Sequence, residues 1–362
     1  MNNPPHILLG HLASFGDCLY ATVIARQIKK DYPGCKLTWA IGTIYRPAIE
    51  ENPYVDAIWE IPLLKRSDMD AAWIKFAKEA KQRKKTGEFD EIFLTQIGPN
   101  NYQNFDGTVR SSIFRAYPAP ITVPVQPIIR LREDEVAGVR QFAERHDLAH
   151  RKHVILFECS SQSGQSFLTS TYAVEVSKRV LRNIPDAAVI LSSNQKIFSD
   201  DQRIIDGSEL SLRQNAEMSK YCDLFVGCSS GISWLCTSDW AKPLPMIQVL
   251  NRSMSVFASM YHDAEYFGLP TDRIIEMTNS TEERLAECIT MSLSGSFRDA
   301  REKYHERIPV ELNRYIETFM RSVLRKGQIF KIIKSVVHVY DRYGIDPFIR
   351  YVKSKMPDFE KL

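Results

Sequence analysis

The chain has no C-x-x-C pair, no glycine-rich dinucleotide fingerprint, no apolar run of membrane-spanning length and little net charge. Each absence removes a class of function. Its seven cysteines (Cys18, Cys35, Cys159, Cys222, Cys228, Cys236 and Cys288) are odd in number and scattered. That fits reduced thiols and offers no zinc framework or disulfide scaffold. The glycines near the N-terminus are Gly10 and Gly16, too few for the G-x-G-x-x-G of a dinucleotide fold, and no G-K-[ST] follows to make a P-loop. The net charge of +3 is too small to indicate a nucleic-acid partner. The start, "MNNPPHILLGHL", lacks the basic region and apolar length of a signal peptide, so a cytoplasmic location is expected. The eight histidines show no ligand spacing.

What is present is alternation. "HILLGHL", "KLTWAIG", "DAIWEIP" and "EIFLTQIG" read as strands, separated by the helical patterns "GDCLYATVIARQIKKDY" and "DMDAAWIKFAKEAKQRKK". A proline-rich passage, "YPAPITVPVQP", interrupts, and from His153 the rhythm restarts with "HVILFEC", "AAVILSS", "DLFVG" and "LPMIQVL" as strands. Strands alternating with helices predict parallel sheets covered on both faces. Two α/β domains in tandem are expected, with the boundary between residues 130 and 152. The last part is helical: Leu312, Tyr315, Ile316, Phe319, Met320, Val323 and Leu324 keep i, i+3, i+4 spacing. Gly327 ends that helix, "QIFKIIKSVVHVYDRY" follows, and a short helix comes after Gly344 and Pro347. Residues 321–355 are locally cationic, with Arg321, Arg325, Lys326, Lys331, Lys334, Arg342, Arg350, Lys353 and Lys355 against Asp341 and Asp346. That tail either packs its apolar stripe back on the N-terminal domain or rests on an anionic membrane surface.

Three stretches carry chemistry. In "SFGDCLYAT" a strand, a glycine turn and a helix place Asp17 at a helix N-terminus. There the macrodipole favours a carboxylate by roughly 0.3–1 kcal/mol. Asp17 is then either a capping acid or a base kept ionised to accept a proton. In "DLFVGCSSGISWL" a buried strand ends in the hydroxyl-rich turn Cys228–Gly231 before a helix. That turn suits an anion, or is a plain serine N-cap. "FECSSQSGQSFLTS" is a second strand-end loop rich in hydroxyls and amides, expected beside the first at the carboxyl edge of one sheet. "TQIGPNNYQNFDGTVRSS" is long and amide-rich for a loop, which makes Asn101, Asn104, Asp106 and Arg110 candidates for binding an acceptor, with His11 and Ser14. The D-x-D of "SDMD" reads as a helix start capped by Ser67 rather than a metal site.

The run "ILLGHLASFGDCLYATVIARQIKKDYPGCKLTWAIG" with "ENPYVDAIWEIP", and later "SELSLRQNAEMSKYCDLFVGCSSGISWL", resembles glycosyltransferase family 9, the ADP-heptose:lipopolysaccharide heptosyltransferases. The resemblance covers roughly residues 6–62 and 153–250. It implies a GT-B fold, with two Rossmann-like α/β/α domains facing across a cleft and a helical extension. The expected domains are an acceptor-side domain over 1–150, a nucleotide-sugar domain over 151–295, and an extension over 296–362 packing back on the first. The implied activity is inverting, metal-independent transfer of a sugar from a nucleotide-diphosphate-sugar to a hydroxyl of a glycan, glycolipid or protein, needing no cofactor. Asp17 matches the general base. Ser160, Ser161, Ser230 and Gly231 match positions that hold the donor diphosphate; Gln165 stands where the family has a lysine, and Ser229 and Trp234 where it has aspartate and histidine. Asn194 and Gln195 fall near the ribose position, and Ser233 lies on the same turn. The missing lysine would have to be made good by hydroxyls, the helix dipole or a charge such as His11. The alternatives are a nucleotide-sugar epimerase on the same fold, with Glu158 as its one evident acid/base group, and a non-catalytic sugar-nucleotide or glycan-binding relative.

Overall fold

A computed structural model describes residues 4–97, 101–159, 164–252, 258–310, 312 and 329–355. The chain divides into two compact units, the first comprising Met1–Arg46, Pro53–Val125 and Pro309–Leu362, the second Pro47–Asn52 and Gln126–Ile308.

In the first unit β1 (His6–Gly10), β2 (Lys36–Gly42), β3 (Ala57–Ile61) and β4 (Glu91–Leu94) form a parallel sheet in the order β3-β2-β1-β4. β1 and β2 are buried along nearly all their length, the signature of a parallel strand covered on both faces. Helix α1 (Phe15–Asp31) follows β1 and buries Leu19, Val23, Ile24 and Ile28. Helix α2 (Met69–Lys85) joins β3 to β4 and buries Trp73, Phe76, Ala77 and Ala80 against Leu8, Ala40 and Ile61. Gly10 allows a close approach here, because a Cβ on it would lie 2.7 Å from both Phe76 and Leu94 and force those side chains to shift. Asp68, not Ser67, occupies the N-cap of α2, after a 3-10 turn over Arg66–Asp68.

The stretch expected to be one long loop after β4 folds instead into a 3-10 turn at Tyr102–Asn104 and a helix, α3 (Val109–Arg115). The cause is Asp106, fully buried, whose Oδ1 accepts from the Thr108 backbone N–H and from Ser111 Oγ at 2.7 Å.

The second unit holds α4 (Glu133–Arg145), β5 (His153–Glu158), α5 (Ser170–Asn183), β6 (Ala187–Ser192), β7 (Ile204–Asp206) and α6 (Gln214–Met218). After these come β8 (Leu224–Gly227), α7 (Gly231–Leu235), β9 (Met246–Leu250), α8 (Met260–Tyr266), β10 (Ile274–Thr278), α9 (Glu282–Ser294) and α10 (Phe297–Tyr304). Its strands are all parallel, in the order β10-β9-β8-β5-β6-β7. Against its sheet sits an apolar core built from Ile155, Phe157, Val176, Val189, Val226, Ile247, Ile275 and Leu285.

The division differs from the expected one at both ends. Residues 126–150 belong to the second unit, because a buried pair ties α4 to it: Arg213 Nε donates to Glu135 Oε1 at 2.8 Å, and Gln214 Nε2 donates to the Glu135 carbonyl. Residues 296–308 also stay with the second unit, since Ala300 and Tyr304 of α10 join its core and Tyr304 Oη donates to Glu287. The chain returns to the first unit at Pro309 and contributes α11 (Ile329–Tyr343) and α12 (Asp346–Lys355). α11 is fastened there by Arg342, whose Nη1 donates to Asp106 Oδ2 at 2.9 Å, Thr108 Oγ1 at 2.7 Å and Ser111 Oγ at 3.0 Å. The helix expected over 312–324 lies outside the described residues save Leu312.

Candidate functional site

Each sheet has one place where the chain, having wound outward from a strand, returns to its other side. There the loops at the carboxyl edge diverge and leave a crevice. In the first unit it falls between β1 and β4, in the second between β5 and β8.

The first crevice is built by the turn between β1 and α1. Gln96, just past β4, clamps that turn: its Oε1 accepts from the backbone N–H groups of Leu12 and Ala13 at 3.0 and 2.9 Å, and its Nε2 donates to the Ala13 carbonyl at 2.6 Å. Gly42 N donates to the Leu12 carbonyl from the β2 side. So held, the turn delivers Ser14 as the N-cap of α1, and Asp17 falls in its first turn. The Asp17 carboxyl is 23% exposed and lies 4.0 Å from Arg110 Nη2, while the Arg110 side chain is 6% exposed. The carboxylate thus stands within reach of water, in the first turn of a helix and beside a guanidinium.

His11, expected to lend a positive charge or touch an acceptor, does neither in this geometry. It is completely buried, with Nδ1 hydrogen-bonded to Thr95 Oγ1 at 3.0 Å, and burial pulls its pKa down to about 4 against the opposing pull of Asp17. It is neutral at pH 7. Asp106 is likewise withdrawn: Arg342 and Arg115 hold it ionised inside the unit, below the usual carboxylate range although burial opposes them. Asn101 is occupied as well, donating from Nδ2 to the Leu94 and Gln96 carbonyls, and the Asn104 backbone carbonyl accepts from Arg115. Of the six acceptor-side candidates, the structure sets Arg110 beside Asp17 and Ser14 at the N-cap of the same helix, commits the side chains of His11, Asn101 and Asp106 to the frame, and engages Asn104 through its backbone carbonyl. Sequence reading missed Gln96 and Thr95, whose only signal is their place one and two residues past a strand end.

The second crevice unites β5 and β8, as expected for the two hydroxyl-rich loops. Ser160 and Ser161 lie outside the described residues. The centre of the rest is Glu158, the last residue of β5, 1% exposed. Ser230 Oγ donates to its Oε1; Ser233 Oγ donates to its Oε2 at 3.0 Å, joined by the Cys228 backbone N–H at 3.4 Å. Burial raises its carboxyl to about 7, despite these donors. Ser229 sits in the left-handed region at φ 53°, its N–H given to Gln248 Oε1 at 2.7 Å and its hydroxyl to the Ala258 carbonyl. Gln165 is 3% exposed and donates from Nε2 to the Ser229 carbonyl. Trp234 is buried in the core. α7, opened by Gly231, has five residues, too short to carry much of a dipole. Asn194 and Gln195 lie exposed beyond β6, on the neighbouring strand at the same edge. Ser230 and Ser233, expected to face a diphosphate, therefore support a carboxyl group instead. Gln248, invisible as a site residue because it sits inside an apolar strand, fixes the turn.

Among the described residues no group of three His, Cys, Asp or Glu side chains is placed to hold a metal ion. No helix among them is long and apolar enough to cross a membrane.

Two parallel α/β sheets of this kind are the architecture of the GT-B glycosyltransferases, and the chain has that fold. A Veillonella parvula DSM 2008 structure described as a family 9 glycosyl transferase superposes over 80% of this chain and 89% of its own, with TM-score 0.55 at 14% identity. The Escherichia coli ADP-heptose lipopolysaccharide heptosyltransferase II superposes over 80% of this chain and 98% of its own, with TM-score 0.51 at 13% identity. No protein-family model matches the sequence, and no curated protein matches it.

Proposed function

We propose that the protein is a glycosyltransferase that moves a sugar from a nucleotide-diphosphate-sugar to a hydroxyl of a glycan, glycolipid or protein. The observation that carries this reading is Asp17: a partly exposed carboxylate at the switch point of the first unit, on a turn locked by Gln96 and flanked by Arg110. The fold shared with the two transferases supports it.

The chemistry is a single inverting displacement. Asp17 takes the proton of the acceptor hydroxyl as its oxygen bonds to the anomeric carbon. The bond from that carbon to the diphosphate oxygen breaks, and the nucleoside diphosphate leaves with the electron pair. Charge grows on the leaving oxygens, so fixed donors there matter most. In the second unit the backbone N–H groups of Ser230 and Gly231, at the start of α7, are the candidates to meet it, and no metal is required by this scheme. Glu158 would repel a diphosphate if ionised. Its raised pKa leaves it largely protonated below pH 7, which removes that repulsion.

An epimerase would need a carboxylate free to exchange a proton with the sugar. Glu158 is instead sealed from solvent and committed to two serines, so this geometry favours transfer. The test pairs two measurements on Asp17→Asn. A thermal-shift screen against ADP-, GDP-, UDP-, CMP- and dTDP-sugars finds the donor as a raised melting temperature, and transfer from that donor is then assayed. Retained donor binding with transfer lost supports the base role; unchanged transfer overturns it, and no binding by any nucleotide-sugar overturns the transferase reading.

A further inference from the structure

Helix α11 has two finished faces. Its inward face is fastened to the first unit through Arg342 and through Ser335 Oγ, which donates to the Phe105 carbonyl at 2.6 Å, with Val339 buried between them. The opposite face is exposed and apolar: Phe330 is 83%, Ile333 52%, Val337 47% and Tyr340 55% exposed. Their i, i+3, i+7, i+10 spacing makes one stripe along the helix. Beyond the turn at Gly344, Ile345, Ile349 and Val352, spaced i, i+4, i+7 into α12, are exposed as well. Lys334 and Arg350, both exposed, border these residues along the chain with Lys331, Lys353 and Lys355, against the acids Asp341 and Asp346.

We infer that this outer face of α11 and α12 docks in the plane of an anionic phospholipid surface, the apolar stripe entering the boundary between headgroups and acyl chains. A helix whose far side faced only water would carry charges there, and a continuous exposed apolar stripe marks a partner surface. At 15 residues α11 is about 22 Å long, too short to cross a bilayer and suited to lying in its interface. The basic border matches anionic headgroups, and Tyr340 and Tyr351 are residues favoured at that depth. A second copy of the chain fits worse, because a two-fold pairing of this face would set the basic borders against each other. Because the inner face is already pinned, the stripe is presented without folding on contact, unlike a free amphipathic peptide. Cationic content alone led to an electrostatic expectation for 321–355; the structure makes the apolar face the binding element and the basic residues its rim. Resting on the transferase reading, the acceptor class this favours is a hydroxyl carried on a lipid.

The experiment uses the full chain and phosphatidylcholine vesicles with and without phosphatidylglycerol, with no donor or acceptor, so its outcome is independent of transfer. The expected result is co-sedimentation with the anionic vesicles. Phe330→Gln/Ile333→Gln/Val337→Gln together should lower partitioning at least about tenfold, and Lys334→Ala or Arg350→Ala about fivefold each, with circular dichroism unchanged. As a check independent of disruptive variants, Phe330→Trp should shift its fluorescence to the blue on adding vesicles. The inference is overturned if the wild-type chain ignores anionic vesicles, if the Gln variant binds them equally, or if the Trp emission stays put. It is also overturned if light scattering shows a dimer that the Gln variant reduces to a monomer.

Discussion

The two crevices occupy the same position in two similar sheets and treat an acidic residue in opposite ways. In the first, Asp17 is left within reach of solvent and the surrounding polar groups serve the backbone: Gln96 and Thr95 fix the turn and leave the carboxylate to its helix end and Arg110. In the second, Glu158 is sealed off and the polar groups serve the side chain, with Ser230, Ser233 and Cys228 all directed at it. A carboxylate that is to trade protons must keep its lone pairs uncommitted, whereas one that organises a turn must spend them. Topology chooses the place; the choice of hydrogen-bond partners sets the role.

The sharpest break of this contrast is to neutralise both acids. Asp17→Asn should lower transfer by about 10²–10⁴-fold and leave the melting temperature nearly unchanged. A fall in stability without loss of transfer would reverse the assignment.

Glu158→Leu should act on stability, by about 1–3 kcal/mol, since two hydroxyls and an N–H lose their buried acceptor. Chemical denaturation measures it, and a neutral result would remove Glu158 from the centre of the turn.

Acidity sharpens the contrast, because the two crevices titrate in opposite senses. Glu158 is raised from 4.5 to about 7 in the fold, so the folded state holds its proton longer. Its contribution is fully favourable below pH 4.5 and is lost as pH rises through 7. Glu158→Gln should therefore gain on the wild type between pH 5 and pH 8 by up to about 3 kcal/mol, read as a difference so that Glu276, raised in the same direction, cancels. His11 moves the other way. Lowered from 6.5 to about 4, it holds stability above pH 6.5 and loses it as pH falls through 4. Parallel pH profiles of Glu158→Gln and the wild type would discard the burial argument.

Gln96→Ala should cost about 2 kcal/mol by leaving two buried N–H groups unpaired, and should slow transfer without touching Asp17. Intact activity would show that the turn holds its shape without the clamp. Smallest is Ser229→Gly, where relief of the left-handed backbone and loss of the bond to Ala258 offset to within about 1 kcal/mol.

Much of the sheet framework was legible because parallel strands are continuous apolar runs: β2 spans the seven residues of "KLTWAIG" that announce it. β7 has three residues and β10 lies in a stretch without a preceding helical signal, so neither stood out. Asp17 was legible as a position, since the glycine turn and the helix start are local. The role of Glu158 was not, because its partner Ser230 is 72 residues away and a serine's choice between a ligand and a carboxylate is made by tertiary packing. Asp106 failed for the same reason on a larger scale: its ion pair with Arg342 spans 236 residues.

That last separation has a consequence for how the protein is made. The first unit is opened by the N-terminal residues and closed by the C-terminal ones, with the second unit inserted between them. During synthesis the buried Asp106 waits for Arg342, 236 residues further on, while all residues of the second unit are available once Ile308 is clear. The residues of the second unit are therefore complete before those of the first, the reverse of the usual N-terminal-first availability. A product truncated before residue 309 would retain Asp17 and its crevice loop but lack Arg342, leaving the buried Asp106 one of its two arginine partners, Arg115.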